Sequence, residues 1–199
     1  MRDPDVLGPR GVDAESARAF LPASRMRRRW TGIAVAVEEP APGEAVPPVA
    51  YQWDADTEIL AASVADARGG GTSPMSLELE GKDGSWVTLE LRAGRFCGIE
   101  VAVWPPVRLR SELVAPPRVS AGHVTVPSVL ALGATTDVEV DTLLAVEADR
   151  RRRTYRFRLG RPRPTRAVRV GRDILVDVDE AGDLAGLWLL HVPPQPIPH

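Results

Sequence analysis

The sequence is poor in the residues on which several kinds of protein depend. Cys97 is the only cysteine among 199 residues, which excludes an intramolecular disulfide and a cysteine-based zinc site. Aromatic residues make up only 5% of the chain, so Val, Leu, Ala and Ile must supply most of the packing. Lys82 is the only lysine, and every other cationic side chain apart from histidine is arginine. The net charge of −2 gives no global attraction to nucleic acid or to an anionic membrane. No run approaches the roughly 18 apolar residues of a membrane span. The opening MRDPDVLGPRG is charged and proline-broken, unlike a secretory leader. The expectation is a cytoplasmic, reducing location with no membrane partner.

Chemical motifs are equally scarce. No Gly-rich phosphate loop follows a strand and opens a helix. Of the histidines, His123, His191 and His199, the one in an apolar closing strand, His191, has no partner at strand spacing that would make it a general base. Cys97 sits in an apolar run with Arg95 as its one cationic neighbour, the setting of a small buried hydrophobe rather than a nucleophile. DADTE, from Asp54 to Glu58, has the alternating oxygens of a calcium loop. It lacks the glycine at position six and the glutamate at position twelve that an EF-hand loop needs. These readings assign no catalytic residue, no metal ligand and no cofactor.

What the chain does have is strand pattern, repeated. With 44% hydrophobic residues it can bury a core. WVTLELRAGRFCGIEVAVWPP, Trp86 to Pro106, returns as ILVDVDEAGDLAGLWLLHVPP, Ile174 to Pro194. Each copy is an alternating run, an Ala-Gly turn, a second glycine, an apolar run and a Pro-Pro stop. Upstream, Asp54, Asp56, Glu58 and Leu60 match Asp137, Glu139, Asp141 and Leu143 in order. Two matched blocks in the same order argue for a duplication. SLELE and SWVTLEL flank Gly81-Lys-Asp-Gly84, a hairpin signal. Alternation there places Leu77, Leu79, Val87, Leu89 and Leu91 on a core face and leaves Glu78, Glu80, Thr88 and Glu90 wet. The apolar closing strands read as central and covered on both faces.

The expected fold is mainly β and antiparallel: two duplicated units of about four to five strands, forming a sandwich or barrel-like fold. One short helix is expected near the N-terminus, capped by Asp13 and stopped by Pro22. The organisation reads as an arm and first strand over 1–40, copy one over 41–106, a Pro-rich linker over 107–118, copy two over 119–194, and a tail over 195–199.

An aromatic-Asp pair (Trp53-Asp54), an acid-x-Leu strand (Glu58-Ile59-Leu60) and a closing strand from Gly94 through Gly98-Ile99-Glu100 carry a resemblance. The chain resembles a small bacterial domain-of-unknown-function family that has an Asp-x-x-Gly-x-x-x-Gly-Ile-Glu closing strand, here as two diverged copies. The second copy has Gly186-Leu187-Trp188 in place of Gly-Ile-Glu. The resemblance implies a compact β-rich unit and no activity.

Two local features bear on function. Arg150 to Arg172 holds eleven arginines and no acid. Alternation in TYRFRL puts Arg156 and Arg158 on one face and Tyr155, Phe157 and Leu159 on the other. Arg156, Arg158, Arg166 and Arg169 are the candidate anion-binding residues, for phosphate, RNA or DNA. The competing reading is a ladder in which Asp177 and Asp179, on a strand taken as adjacent, neutralise that face. Glu100 and His191, on the closing strands of the two copies, are the candidate pocket residues for a ligand or substrate held between the units. The first expectation is a structural or protein-interaction module without catalytic activity, acting on a protein partner or a second copy. Nucleic-acid binding, and a small-ligand or enzyme site, are the alternatives.

Overall fold

A computed structural model describes residues 26–27, 32–65, 74–127 and 138–195 of the chain. The expected helix after Asp13 lies outside these residues. Among them, sixteen strands form two sheets. The first sheet has nine strands: β1 (Met26–Arg27), β2 (Ala36–Glu38), β3 (Val49–Trp53), β4 (Leu60–Val64), β5 (Pro74–Gly81), β6 (Trp86–Arg92), β7 (Arg95–Val103), β10 (His123–Thr125) and β11 (Val138–Thr142). The second has seven: β8 (Val107–Leu109), β9 (Val119–Ala121), β12 (Leu144–Asp149), β13 (Thr154–Leu159), β14 (Thr165–Gly171), β15 (Ile174–Asp179) and β16 (Leu184–Leu189). The protein is mainly β, as the alternation indicates, and neither sheet closes into a barrel.

Alternation sets which side chains turn inward. In the β5–β6 hairpin Leu77, Leu79, Val87, Leu89 and Leu91 are all buried. The turn is closed by Gly81 N–H to Ser85 O (2.8 Å) and Gly84 N–H to Gly81 O (2.9 Å). Glu78, expected to be wet, is only 8% exposed. It lies in the interior of the sheet, opposite Thr88 on β6 and Glu139 on β11. The inward side chains of both sheets meet in one hydrophobic cluster that includes Leu60, Leu89 and Ile99 from the first sheet and Phe157, Val176 and Leu187 from the second. The two units therefore share a core.

Strand order repeats between the sheets. In the first, β3-β4-β7-β6-β5 are neighbours in that order; in the second, β12-β13-β16-β15-β14 are. The closing strands β7 and β16 are central, as their two-sided apolarity suggests. The opening hairpins turn alike. Asp54 Oδ1 accepts the amides of Asp56 (3.0 Å) and Thr57 (3.3 Å), and Glu58 has φ of 59°. Asp149 Oδ1 accepts the amides of Arg151 (3.0 Å) and Arg152 (3.1 Å), and Arg153 has φ of 53°. The acidic block of Val138–Thr142 sits elsewhere, as β11 running parallel beside β5 in the first sheet. The turn at Asp149 thus joins the first two strands of its run as the turn at Asp54 joins β3 and β4.

The glycine of each closing strand has a steric reason. A Cβ on Gly98 would lie 2.9 Å from the Ala62 carbonyl oxygen, and one on Gly186 would overlap that of Phe157 still more closely. Both carbonyls belong to the neighbouring strand, so only backbone movement could relieve the clash. Gly186→Val is expected to lower the unfolding free energy by about 1–3 kcal/mol, the usual cost of overpacking, read from urea denaturation. An unchanged midpoint would show that the strands part without cost.

Candidate functional site

The outward face of the second sheet is where charge concentrates. The alternation of TYRFRL holds: Phe157 and Leu159 are in the core, while Arg156 and Arg158 turn outward. They do not lie beside Asp177 and Asp179, because β16 runs between β13 and β15. Arg158 and Asp177 each stand opposite Gly186 on that intervening strand. With no side chain at Gly186, an arginine on β13 can reach across a whole strand to an aspartate on β15.

Asp177 anchors the face. It is 1% exposed, and its two carboxylate oxygens accept from Trp188 Nε1 at 3.1 and 3.0 Å. Arg156 Nη2 donates to Asp177 Oδ2 at 3.2 Å, and the guanidinium carbon lies 4.7 Å from the centre of the Trp188 ring. Stacking and pairing together fix that cation. Arg158 approaches Glu147 Oε1 at 4.0 Å. Glu147 takes its main hydrogen bonds from Arg110, through Nε (3.0 Å) and Nη2. Asp179 pairs with Arg163 rather than with a β13 arginine, Nε to Oδ2 at 2.6 Å. The expected ladder between adjacent strands does not form: Arg156 reaches Asp177 across β16, and Asp179 pairs with Arg163 from the loop instead.

The segment after the first closing strand straps this face. Leu113 N–H donates to Asp149 Oδ2 at 3.2 Å, and the Leu113 side chain packs with Ala167, Leu175, Trp188 and Leu190. Proline-rich composition suggested a bare linker, yet Val107–Leu109 forms β8, parallel to β12.

A cleft of about 190 Å³ opens beside the paired arginines, lined by Arg156, Arg158, Arg161, Arg163, Thr165 and Ala185. Arg163 is held by Asp179 and by the carbonyls of Leu159 (2.8 Å), Leu184 (3.1 Å) and Arg161 (3.3 Å). Two of the four arginines singled out by sequence line this cleft. The other two lie away from it. Arg166 is in register with Val178, a core residue, so it leaves β14 on the inward side, near Glu39 and Ser120. Arg169 is tied to the Arg172 carbonyl at 2.6 Å. Arg161 and Arg163, which sequence reasoning did not single out, come from the loop after β13. Their signal was the Arg-Pro-Arg-Pro run, which holds them close to the strand end.

Glu100 and His191 are not brought together. Ile99 and Val101 point into the core, so Glu100 between them faces outward from the first sheet. His191 follows β16 in the second, 2.8 Å from Asp173 through Nδ1, with a side chain 69% exposed. Cys97 is buried, and burial together with the charge of Glu90 pushes its thiol up to about 11. Among the described residues no group of three or more His, Cys, Asp or Glu is placed to hold a metal ion. Nor is any helix there long and apolar enough to cross a membrane.

A scan against protein-family models finds no match for this chain, and a search of the curated proteins finds none. The site must be read from its own geometry.

Two outcomes follow. Asp177→Ala leaves Arg156 without its buried partner and is expected to cost about 3–5 kcal/mol in chemical denaturation; a loss below 1 kcal/mol would mean the pair is not structural. Acid should unfold the protein through the same network. Burial acts to raise Glu147, but the Arg110 hydrogen bond and the charges of Arg158, Arg110 and Arg156 outweigh it and hold the carboxyl low. Asp149 is held low by the Arg152 amide and those of Leu113 and Arg151. Asp179 is held low by the Asp183 amide and Arg163, against the effect of its burial. Carboxyls depressed in the folded state contribute stability that is full above the unfolded range near pH 4 and lost as pH falls through the folded values. Glu90, raised by lost hydration and by Glu100, acts in the opposite sense. Glu44, Asp54 and Asp83 are also held low, by hydrogen bonds from Ala41, Thr57 and Ser85, so among the described residues six carboxyls act against one and the unfolding free energy should fall as pH drops below about 4; a flat profile from pH 5 to 2.5 would contradict this.

Proposed function

We propose that the chain is a non-catalytic protein-interaction module, built from two diverged copies of one five-strand unit, whose docking element is the edge strand β8. The duplication is supported by the shared strand order, the matching Asp54 and Asp149 turns, and the glycine at the same place in each closing strand. The docking role rests on where apolar surface is left open. Among the described residues, Val103, Val107, Leu109, Val114 and Leu143 are the exposed large hydrophobics, and four of the five fall between residues 103 and 114. Apolar exposure concentrated on one segment marks interaction surface more often than single scattered residues do.

β8 is the last strand of its sheet, and among the described residues nothing pairs with its outer edge. The Arg110 amide donates to Ala148 O at 2.9 Å. By alternation the amide of Leu109 points away from the sheet, ready to pair with an incoming strand. Val107 and Leu109 lie in register with Val146 and Ala148, so they sit on the core side, and Arg108 lies on the other side. The partner that fits is an extended segment with apolar residues at alternate positions and an acid between them to meet Arg108.

The other readings have less support. A nucleic-acid face would need bases to stack beside the arginines. The aromatic rings of β13 turn toward the core, and the Trp188 ring is already covered by Arg156. A ligand or catalytic site at the centre of the join would need space that the shared hydrophobic cluster fills, and the cleft of about 450 Å³ at its rim, between Val37 and Glu39 on one side and Ser120, Ala121 and Arg166 on the other, includes neither Glu100 nor His191.

The proposal is tested with Leu109→Pro, which removes the outward amide and leaves the Arg110 bond to β12 in place. A photoreactive residue at position 107 should cross-link the wild type to an extended acidic-apolar segment. The proline variant should lose that cross-link while keeping its melting temperature. Cross-links scattered over the surface, or unchanged by proline, would sink the idea. A cross-linked mass of twice the chain, lost in the proline variant, would make the partner a second copy docking through the same strand.

A further inference from the structure

We propose that the cleft at the β13 end of the second sheet binds one phosphate-class oxyanion, held by Arg158 and Arg161 against a floor organised by Arg156 and Arg163. The inference stands apart from the β8 reading and rests on other residues.

The first observation is the balance of charge. Four guanidiniums line the cleft. The carboxylates that touch them are Asp177, Glu147 and Asp179, and Glu147 is claimed chiefly by Arg110. Those carboxylates are also the deeper layer: Asp177, Glu147 and Asp179 have side chains 1%, 9% and 10% exposed, against 28%, 23% and 29% for Arg156, Arg158 and Arg163. A ligand entering the cleft meets cations first.

The second observation is unfilled donor capacity. The Nε–H groups of Arg156 and Arg158 are buried and have no protein acceptor. Arg158 has only a 4.0 Å ion pair, beyond hydrogen-bond reach. Arg161 is exposed, and among the described residues its guanidinium makes no ion pair. The buried Nε–H groups lie out of a ligand's direct reach, but the Arg158 and Arg161 guanidinium ends are left without a protein acceptor, and an oxyanion matches their charge and fork geometry. Arg163, by contrast, spends its donors on Asp179 and on three carbonyls, which makes it a rigid source of positive potential.

The third observation is shape. Ala185 and Thr165 are the small side chains among the lining residues, and they leave room between the guanidiniums. At about 190 Å³ the cleft admits one compact oxyanion or a small phosphate ester. It is concave and local, unlike the extended track a nucleic-acid backbone needs.

The test is calorimetric titration of the full chain with inorganic phosphate, with pyrophosphate and with a single-stranded oligonucleotide, at low salt. Phosphate or pyrophosphate should bind with one-to-one stoichiometry and weaken as salt rises. Arg158→Gln and Arg161→Gln should each weaken binding roughly tenfold, the scale of one charge-assisted hydrogen bond. Arg166→Gln, on the other side of the sheet, should leave it unchanged. Thermal melts of all three variants check that the fold survives. Neither anion binding at low salt, or equal losses in the Arg166 variant, would overturn the proposal. So would an oligonucleotide that binds more than tenfold tighter than pyrophosphate, since the face would then be a nucleic-acid surface.

Discussion

Each five-strand unit has an apolar face that it cannot cover alone, and the structure depends on the two faces closing on each other. Small sheets left single expose too much apolar surface to be stable. Here Leu89 and Ile99 from one sheet meet Val176 and Leu187 from the other in a common cluster. Aromatic side chains fasten the join. Trp104, following β7, stacks on Trp53 with ring centres 5.8 Å apart and leans on Tyr155 and Phe157 of the opposite sheet at 5.4 and 5.9 Å. The Tyr51 hydroxyl donates to the Leu190 carbonyl at 2.9 Å, and Trp53 Nε1 to that of Pro193. Burial raises the Tyr51 phenol well above its ordinary range, so the clamp keeps its proton at pH values at which an exposed phenol ionises.

Once the inner faces are joined, the outer faces are free to differ. The first sheet turns Glu90 and Glu100 outward, while the second turns out arginines laid over buried acids. Gly186 ties the core to this surface. It lets β16 lie close against β13, and it opens the gap across which Arg156 reaches Asp177. The packing constraint of the closing strand therefore also shapes the charged face.

The legible part of the fold was the part governed by period two. Leu77, Leu79, Val87, Leu89 and Leu91 could be assigned to the core because alternate side chains of a strand share a face. The Arg156–Arg158 face was legible for the same reason. Neighbours were not. Asp177 and Asp179 looked adjacent to TYRFRL because the chain passes from one to the other, yet β16 inserts between them. The acidic block before β12 looked like the repeat of Asp54–Leu60. From Val138 on, its backbone is drawn into the first sheet, and the turn that is shaped like the one at Asp54 is at Asp149. Likeness in acid spacing is weak when many strands carry alternating acids on a polar face.

The sequence by itself determined the strand pattern, most of the inward faces, the turn at Gly81, and the centrality of the two closing strands. Each of these depends on residues within a few positions of one another, where alternation and turn chemistry act directly. Only the tertiary structure decided that the units share one core, that Arg161 and Arg163 join Arg156 and Arg158 while Arg166 and Arg169 do not, and that Glu100 and His191 stand on separate layers. Those outcomes turn on which strand lies beside which. Strand order is set by the burial of whole sheets, a quantity no local stretch of sequence contains.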